Sequence, residues 1–161
     1  MNLPFSLKIG AWPTHFPEKI LNGLYWPDGE VDEYFAQSAH HPDIDINLAL
    51  NPDTKAKIHT IREDPTDRWK PGSKIHFVIH NRSKKRFQFA PVLEVKSVQK
   101  IEVRRFGGEV IIWIDNSTLL HPEDVNTLAV NDGFPSAMRF LQFFDRDFKG
   151  KIIHWADHRY S

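Results

Sequence analysis

The chain has 161 residues, the size of one typical domain, and its 40% hydrophobic and 26% charged residues exclude a disordered polymer. Basic and acidic residues balance at 21 each, and a net charge of zero argues against a general duplex-DNA or membrane-surface binder. Cysteine is absent, which rules out disulfides, thiolate zinc sites and cysteine nucleophiles. The longest apolar run, residues 110–114, is too short to span a bilayer, and the N-terminal stretch lacks a signal-peptide core, so the expected compartment is the cytoplasm.

The first expected element is a short strand over residues 5–8. A helix over about 14–22 follows, capped by Thr14, with Phe16, Ile20 and Leu21 as its apolar stripe and Gly23 just beyond its end. Residues 24–53 are rich in turn formers and read as an insertion. Within it, Ile44, Ile46, Leu48 and Leu50 alternate as a strand would, although a turn of helix also fits. KIHTIR (57–62) is a strand, residues 65–72 a turn, and residues 74–79 a strand with Ile75, Phe77 and Ile79 on one side. Residues 86–103 are β-rich, Gly107-Gly108 fits a hairpin turn, and residues 110–114 form a buried strand. Pro122 opens a helix with Glu123 and Asp124 in its first turn, and Pro135 opens a second that buries Ala137, Phe140, Leu141, Phe144 and Phe148. Gly150 closes that region, and residues 151–155 are the last strand. This order predicts an α+β fold, a small β-barrel of mixed strands with helices at its rim.

Charge is segregated. Residues 28–67 carry ten acids and three bases, and residues 82–105 carry eight bases and two acids. Folding can cancel these segments, join copies through them, or leave a basic face for an anionic ligand.

Three segments resemble the ASCH domains, a branch of the PUA-like β-barrel superfamily. They are EKILNG (18–23) with KIHTIRE (57–63), similar to the family's ILxG and KxxTxR; WKPGSKIH (69–76), similar to its W/F-K-x-G-D turn; and NDGFPS (131–136), similar to its E-G-F-x-S helix opening. In the family the first two motifs adjoin. Here about thirty residues separate them, and the family's glutamate is Asp132. The resemblance implies one PUA-like domain over residues 1–161 with an insertion at about 24–53, and a pocket for RNA or a modified nucleoside. One bacterial group with this motif removes the acyl group from acetylated cytidine. By its pattern Lys57 is the base, Thr60 the nucleophile and Asp132 the supporting acid.

A threonine hydroxyl needs such a base at neutral pH, and burial of a lysine favours its neutral form. Strand alternation, however, turns Lys57 away from Thr60 and Arg62 unless it precedes the regular strand or sits at a bulge. The plain alternatives are a solvated Lys57, an ordinary strand Thr60, an Arg62 paired with Glu63, Asp64 or Asp67, and an Asp132 that caps the helix near Pro135.

Arg62 offers a donor fork for a phosphate or base edge. Trp26 and Trp69, in polar loops, are the stacking candidates, whereas Trp113 and Trp155 read as core. Arg82, Lys84, Lys85 and Arg86 are candidate phosphate contacts at a hairpin tip. The nine histidines read as surface residues, so no metal or cofactor is expected. The leading expectation is an RNA- or nucleoside-binding domain. The alternatives are an amidohydrolase acting on an acylated cytidine-like base and a protein-interaction module that uses the insertion. Nothing in the pattern sets the oligomeric state.

Overall fold

The computed structural model describes residues 1–24, 33–115, 117–119 and 121–161. Its elements in chain order begin with β1 (Asn2–Pro4), β2 (Lys8–Ile9), β3 (Trp12–Pro13), α1 (Phe16–Leu24), α2 (Glu33–Ala39) and α3 (Ile46–Leu50). Then come β4 (His59–Arg62), β5 (Lys74–Ile79), β6 (Phe87–Gln88), β7 (Leu93–Glu94), β8 (Ser97–Phe106), β9 (Glu109–Ile114) and β10 (Ser117–Leu119). The chain ends with α4 (Pro122–Asn131), α5 (Ala137–Phe143) and β11 (Phe148–His154). The fold is α+β. Among the described residues the sheets are open paths, and no barrel closes. No described helix is long and apolar enough to cross a membrane.

Two compact units are present: Met1–Lys57 with Lys74–Leu93, and Ile58–Ser73 with Glu94–Ser161. In the first, β5 lies between a parallel β1 and an antiparallel β6. Ile75, Phe77 and Ile79 are fully buried, as alternation requires, and Phe5 stacks on Phe77 at 6.0 Å between centroids. The opening strand is β1, with Phe5 just beyond it, because Asn2 to Pro4 take up the register with β5.

Helix α1 buries Phe16, Ile20 and Leu21, and the Phe16 amide donates to Thr14 Oγ1 at 3.3 Å. Gly23 lies inside this helix rather than beyond its end. The 44–50 alternation resolves as α3, whose start is fixed by Asp45 accepting from the amides of Asn47 and Leu48. Phe35, Ile44 and Ala49 are buried, and Asn22 Nδ2 donates to the carbonyls of Ala49 and Asn51, so the inserted helices share the first unit's core.

The second unit is built on an antiparallel sheet in the order β10-β9-β8-β11-β4. Gly107 and Gly108 both have positive φ, 59° and 86°, and make the tight turn between β8 and β9. Pro122 opens α4 and Ser136 caps α5, placing Phe140 and Phe144 against each other at 4.7 Å.

Gly150 is not a terminator; it sits within β11. A Cβ there would lie 2.5 Å from the Arg62 carbonyl oxygen and 2.7 Å from the Phe148 ring. Because that carbonyl belongs to the paired backbone of β4, relief requires the strand to move. Gly150→Ala is therefore expected to lower unfolding stability by about 2 kcal/mol, the range of an overpacked core. Urea denaturation checks this, and an unchanged midpoint would show that β4 gives way freely.

Candidate functional site

The site in the second unit is built where α4 ends against β4. An aspartate just past a helix C-terminus faces the negative end of the helix dipole, so Asp132 needs partners from elsewhere. It finds them on β4: the Ile61 amide donates to Asp132 Oδ1 at 3.2 Å. A second stitch joins the same segments, from the Ile58 amide to the Asn131 carbonyl at 3.0 Å. Asp132 is buried, and His59 Nδ1 lies 3.6 Å from its Oδ1. Arg62 is half-buried; burial pushes its guanidinium pKa down, while the Asp132 carboxylate opposes that shift. Asp132 is thus not the cap of α5, a role that Ser136 fills by accepting from the Arg139 amide.

Behind β4 lies a polar cluster that the sequence pattern did not disclose. Tyr160 Oη is 2.7 Å from His59 Nε2 and accepts from Asn131 Nδ2 at 2.9 Å. If Tyr160 donates to Nε2, the His59 proton sits on Nδ1, 3.6 Å from Asp132 Oδ1 and beyond hydrogen-bond distance. Burial pushes the Tyr160 hydroxyl pKa up. His154 packs 5.2 Å from the His59 ring, is fully buried, and has no hydrogen-bond partner on either ring nitrogen among the described residues. Burial, reinforced by His59, His158 and Arg159, lowers its pKa to about 3, so it is neutral at physiological pH. The signal for this cluster was weak: His59 sits inside KIHTIR, but Tyr160 is a hundred residues away in the tail.

A pocket of about 370 Å³ opens beside the end of β4, lined by Glu63, Asp64, Pro65, Lys100, Lys149 and Lys151, with Gly150 in its wall. Lys100, Lys151 and Arg62 form one cross-strand row over β8, β11 and β4. Asp64 is buried and accepts from Lys151 Nζ at 2.9 Å and from the amides of Arg68 and Trp69, each at 3.0 Å. Burial opposes the Asp64 charge, but Lys151 and the two amides bring its carboxyl pKa below the usual range. Lys151 also pairs with Asp67, while Lys149 lies 3.5 Å from Glu102. Lys100 makes no ion pair among the described residues. Among the described residues the pocket therefore has one lysine without an ion pair, Lys100, and two that share acidic partners, Lys149 and Lys151.

Thr60, Arg62 and Asp132 belong to this second unit, with Thr60 buried at 3% exposure. Lys57 ends the first segment of the first unit, ahead of the regular strand. It is not a solvated edge lysine. It is 1% exposed, its amide donates to the Lys19 carbonyl, and its ammonium stands 4.6 Å over the Phe16 ring. Arg82, Lys84, Lys85 and Arg86 are exposed at the β5–β6 turn of the first unit, and Arg86 donates to Asn2 Oδ1 at 3.0 Å.

Trp69, expected as a stacking candidate in a polar loop, is instead buried at 4% exposure, with its backbone amide donating to Asp64, and offers no open stacking platform. Trp113, expected in the core, is half-buried opposite Glu102 and is the sheet's accessible indole, whereas Trp155 is buried as expected. Trp26 lies outside the described residues. Among the described residues no group of three or more His, Asp or Glu is arranged to hold a metal ion.

Comparison with known protein families, curated proteins and solved structures gave no match.

Proposed function

We propose that the second unit binds RNA or a modified nucleoside beside β4, as an ASCH-type member of the PUA-like superfamily working in the cytoplasm. In this reading Arg62 recognises a phosphate or base edge, and Lys100 and Lys149 take neighbouring phosphate charge. The observation that supports it is the bond from the Ile61 amide to Asp132. It joins the KxxTxR strand to the NDGFPS segment, the two pieces that the family resemblance assigns to one pocket. Arg62 is half-buried within electrostatic reach of Asp132, and the lysine-lined pocket next to it is of ligand size. Zero net charge favours a local contact over broad non-specific RNA binding.

The test is a titration of short single-stranded RNA, cytidine monophosphate and N4-acetylcytidine at about 50 mM and about 200 mM salt. RNA binding is expected to weaken with salt, at a slope of about −0.7 per phosphate contact, and Arg62→Gln is expected to weaken binding about tenfold. Equal affinity of the wild type and a folded Arg62→Gln would remove Arg62 from the site. The same panel separates the amidohydrolase reading, in which water cleaves the N4–acyl bond to give cytidine and the free acid. Release of cytidine that a folded Thr60→Ala abolishes would put that reading first. Binding of a protein partner that depends on residues 24–53, with no ligand response at β4, would favour the interaction module.

A further inference from the structure

A second pocket, in the first unit, has a chemistry of its own. It measures about 480 Å³, and its polar wall carries Glu18, Asp43 and Asp45 against Lys8 and His15. Glu18 occupies the third position of α1, where a glutamate ordinarily reaches back to the amide of the capping residue. Here its Oε1 instead accepts from the Asp45 amide at 3.0 Å, with His15 Nδ1 at 3.7 Å. Glu18 is 3% exposed, and its Oε2 is buried with no hydrogen-bond partner among the described residues. An unsatisfied carboxylate oxygen at that depth is costly, and an incoming donor would relieve the cost.

The other two carboxylates are fixed rather than free to turn inward and fill the need. Asp43 Oδ2 is 2.8 Å from His80 Nε2, and Asp45 Oδ1 caps α3. The remaining walls, Leu7, Pro13, Pro42 and Ile44, are apolar. The pocket therefore offers one buried carboxylate oxygen that has no hydrogen-bond partner among the described residues, two further carboxylates nearby and a surface for methylenes.

We propose that this pocket binds a primary aliphatic amine, with its ammonium on Glu18 Oε2 and its alkyl chain along the apolar wall. The geometry favours an ammonium over a guanidinium. A guanidinium binds a carboxylate best through both oxygens, and Glu18 Oε1 is already taken by the Asp45 amide. An ammonium is a point charge with three donors, and it can use Oε2 alone while turning the others to the neighbouring carboxylates. This inference is independent of the nucleoside reading, which concerns residues of the other unit.

The experiment is calorimetric titration of the full chain with putrescine, agmatine and butanediol, alongside amide NMR spectra. Putrescine is expected to bind saturably, the guanidinium end of agmatine to confer no advantage, and butanediol not to bind. Glu18→Gln is expected to weaken putrescine at least about tenfold, the loss of one charge-assisted hydrogen bond. The Asp45 amide, which shares the Glu18 carboxylate, is expected to shift as putrescine is added. Asp43→Asn, an exposed change outside the core, is expected to weaken binding about threefold and serves if Glu18→Gln fails to fold. Absence of saturable putrescine binding by the folded chain would overturn the proposal, as would equal binding by Glu18→Gln or an unmoved Asp45 amide at saturation.

Discussion

Asp132→Ala is expected to lower unfolding stability by about 3 kcal/mol, because it strips charged partners from a buried site. The Ile61 amide loses its acceptor, His59 Nδ1 loses the carboxylate at 3.6 Å, and the half-buried Arg62 loses its countercharge. Asp132→Asn divides the effect. It keeps an oxygen for Ile61 but removes the charge, so its cost is expected to be smaller, about 1–2 kcal/mol. Urea denaturation of the three proteins decides. Equal, near-zero losses would mean that the helix end and β4 hold together without this residue, and the supporting observation for the nucleoside reading would lose its structural weight.

Acid stability is expected to depend on His154. Its pKa is near 6.5 in the unfolded chain and about 3 in the folded one. The unfolded state therefore takes up the proton first. Stability is complete above about pH 6.5 and falls as pH drops towards 3. At pH 5 the loss is about 2 kcal/mol, at 1.36 kcal/mol for each unit below the unfolded value. The groups that face this ring are His59 from β4, His158, Arg159 and Tyr160 from the tail, and Asp115 after β9, of which only Asp115 favours the protonated form. Neither ring nitrogen has a hydrogen-bond partner among the described residues, so His154→Leu strands no polar group there. The variant is expected to hold its urea midpoint between pH 7 and pH 5 better than the wild type. Parallel curves would show that acid sensitivity arises elsewhere.

What was legible in the sequence was mostly local. Thr14 before a 3.6-period stripe, Pro122 ahead of two acids, the alternation of residues 74–79 and the Gly107-Gly108 pair each carry their instruction within a few residues, and α1, α4, β5 and the β8–β9 turn follow them. The less legible features depend on distant partners. Asp132 looks like a cap for α5 until Ile61, 71 residues away, claims its carboxylate. Trp69 sits in a polar run, yet Asp64 and Lys151 fold that run so that the indole is buried. Gly150 resembles a helix stop because nothing local reveals the Arg62 carbonyl that excludes a side chain there. Residues 46–50 alternate like a strand, but the Asp45 cap tips them into a helical turn. Of the candidate site, the family resemblance points to Thr60, Arg62 and Asp132. It does not point to His59, Tyr160 and the lysines of the pocket, because their roles arise from packing of β4, β11 and the tail rather than from spacing along the chain.

The most direct test of the nucleoside reading is an amide NMR titration of the wild-type chain with cytidine monophosphate and a short single-stranded RNA. The expected result is a set of perturbed amides centred on Ile61, Arg62 and Asp132 and extending to Lys100 and Lys149, with the same set reduced in Arg62→Gln. Perturbations confined to residues 82–86, or none at millimolar ligand, would contradict it.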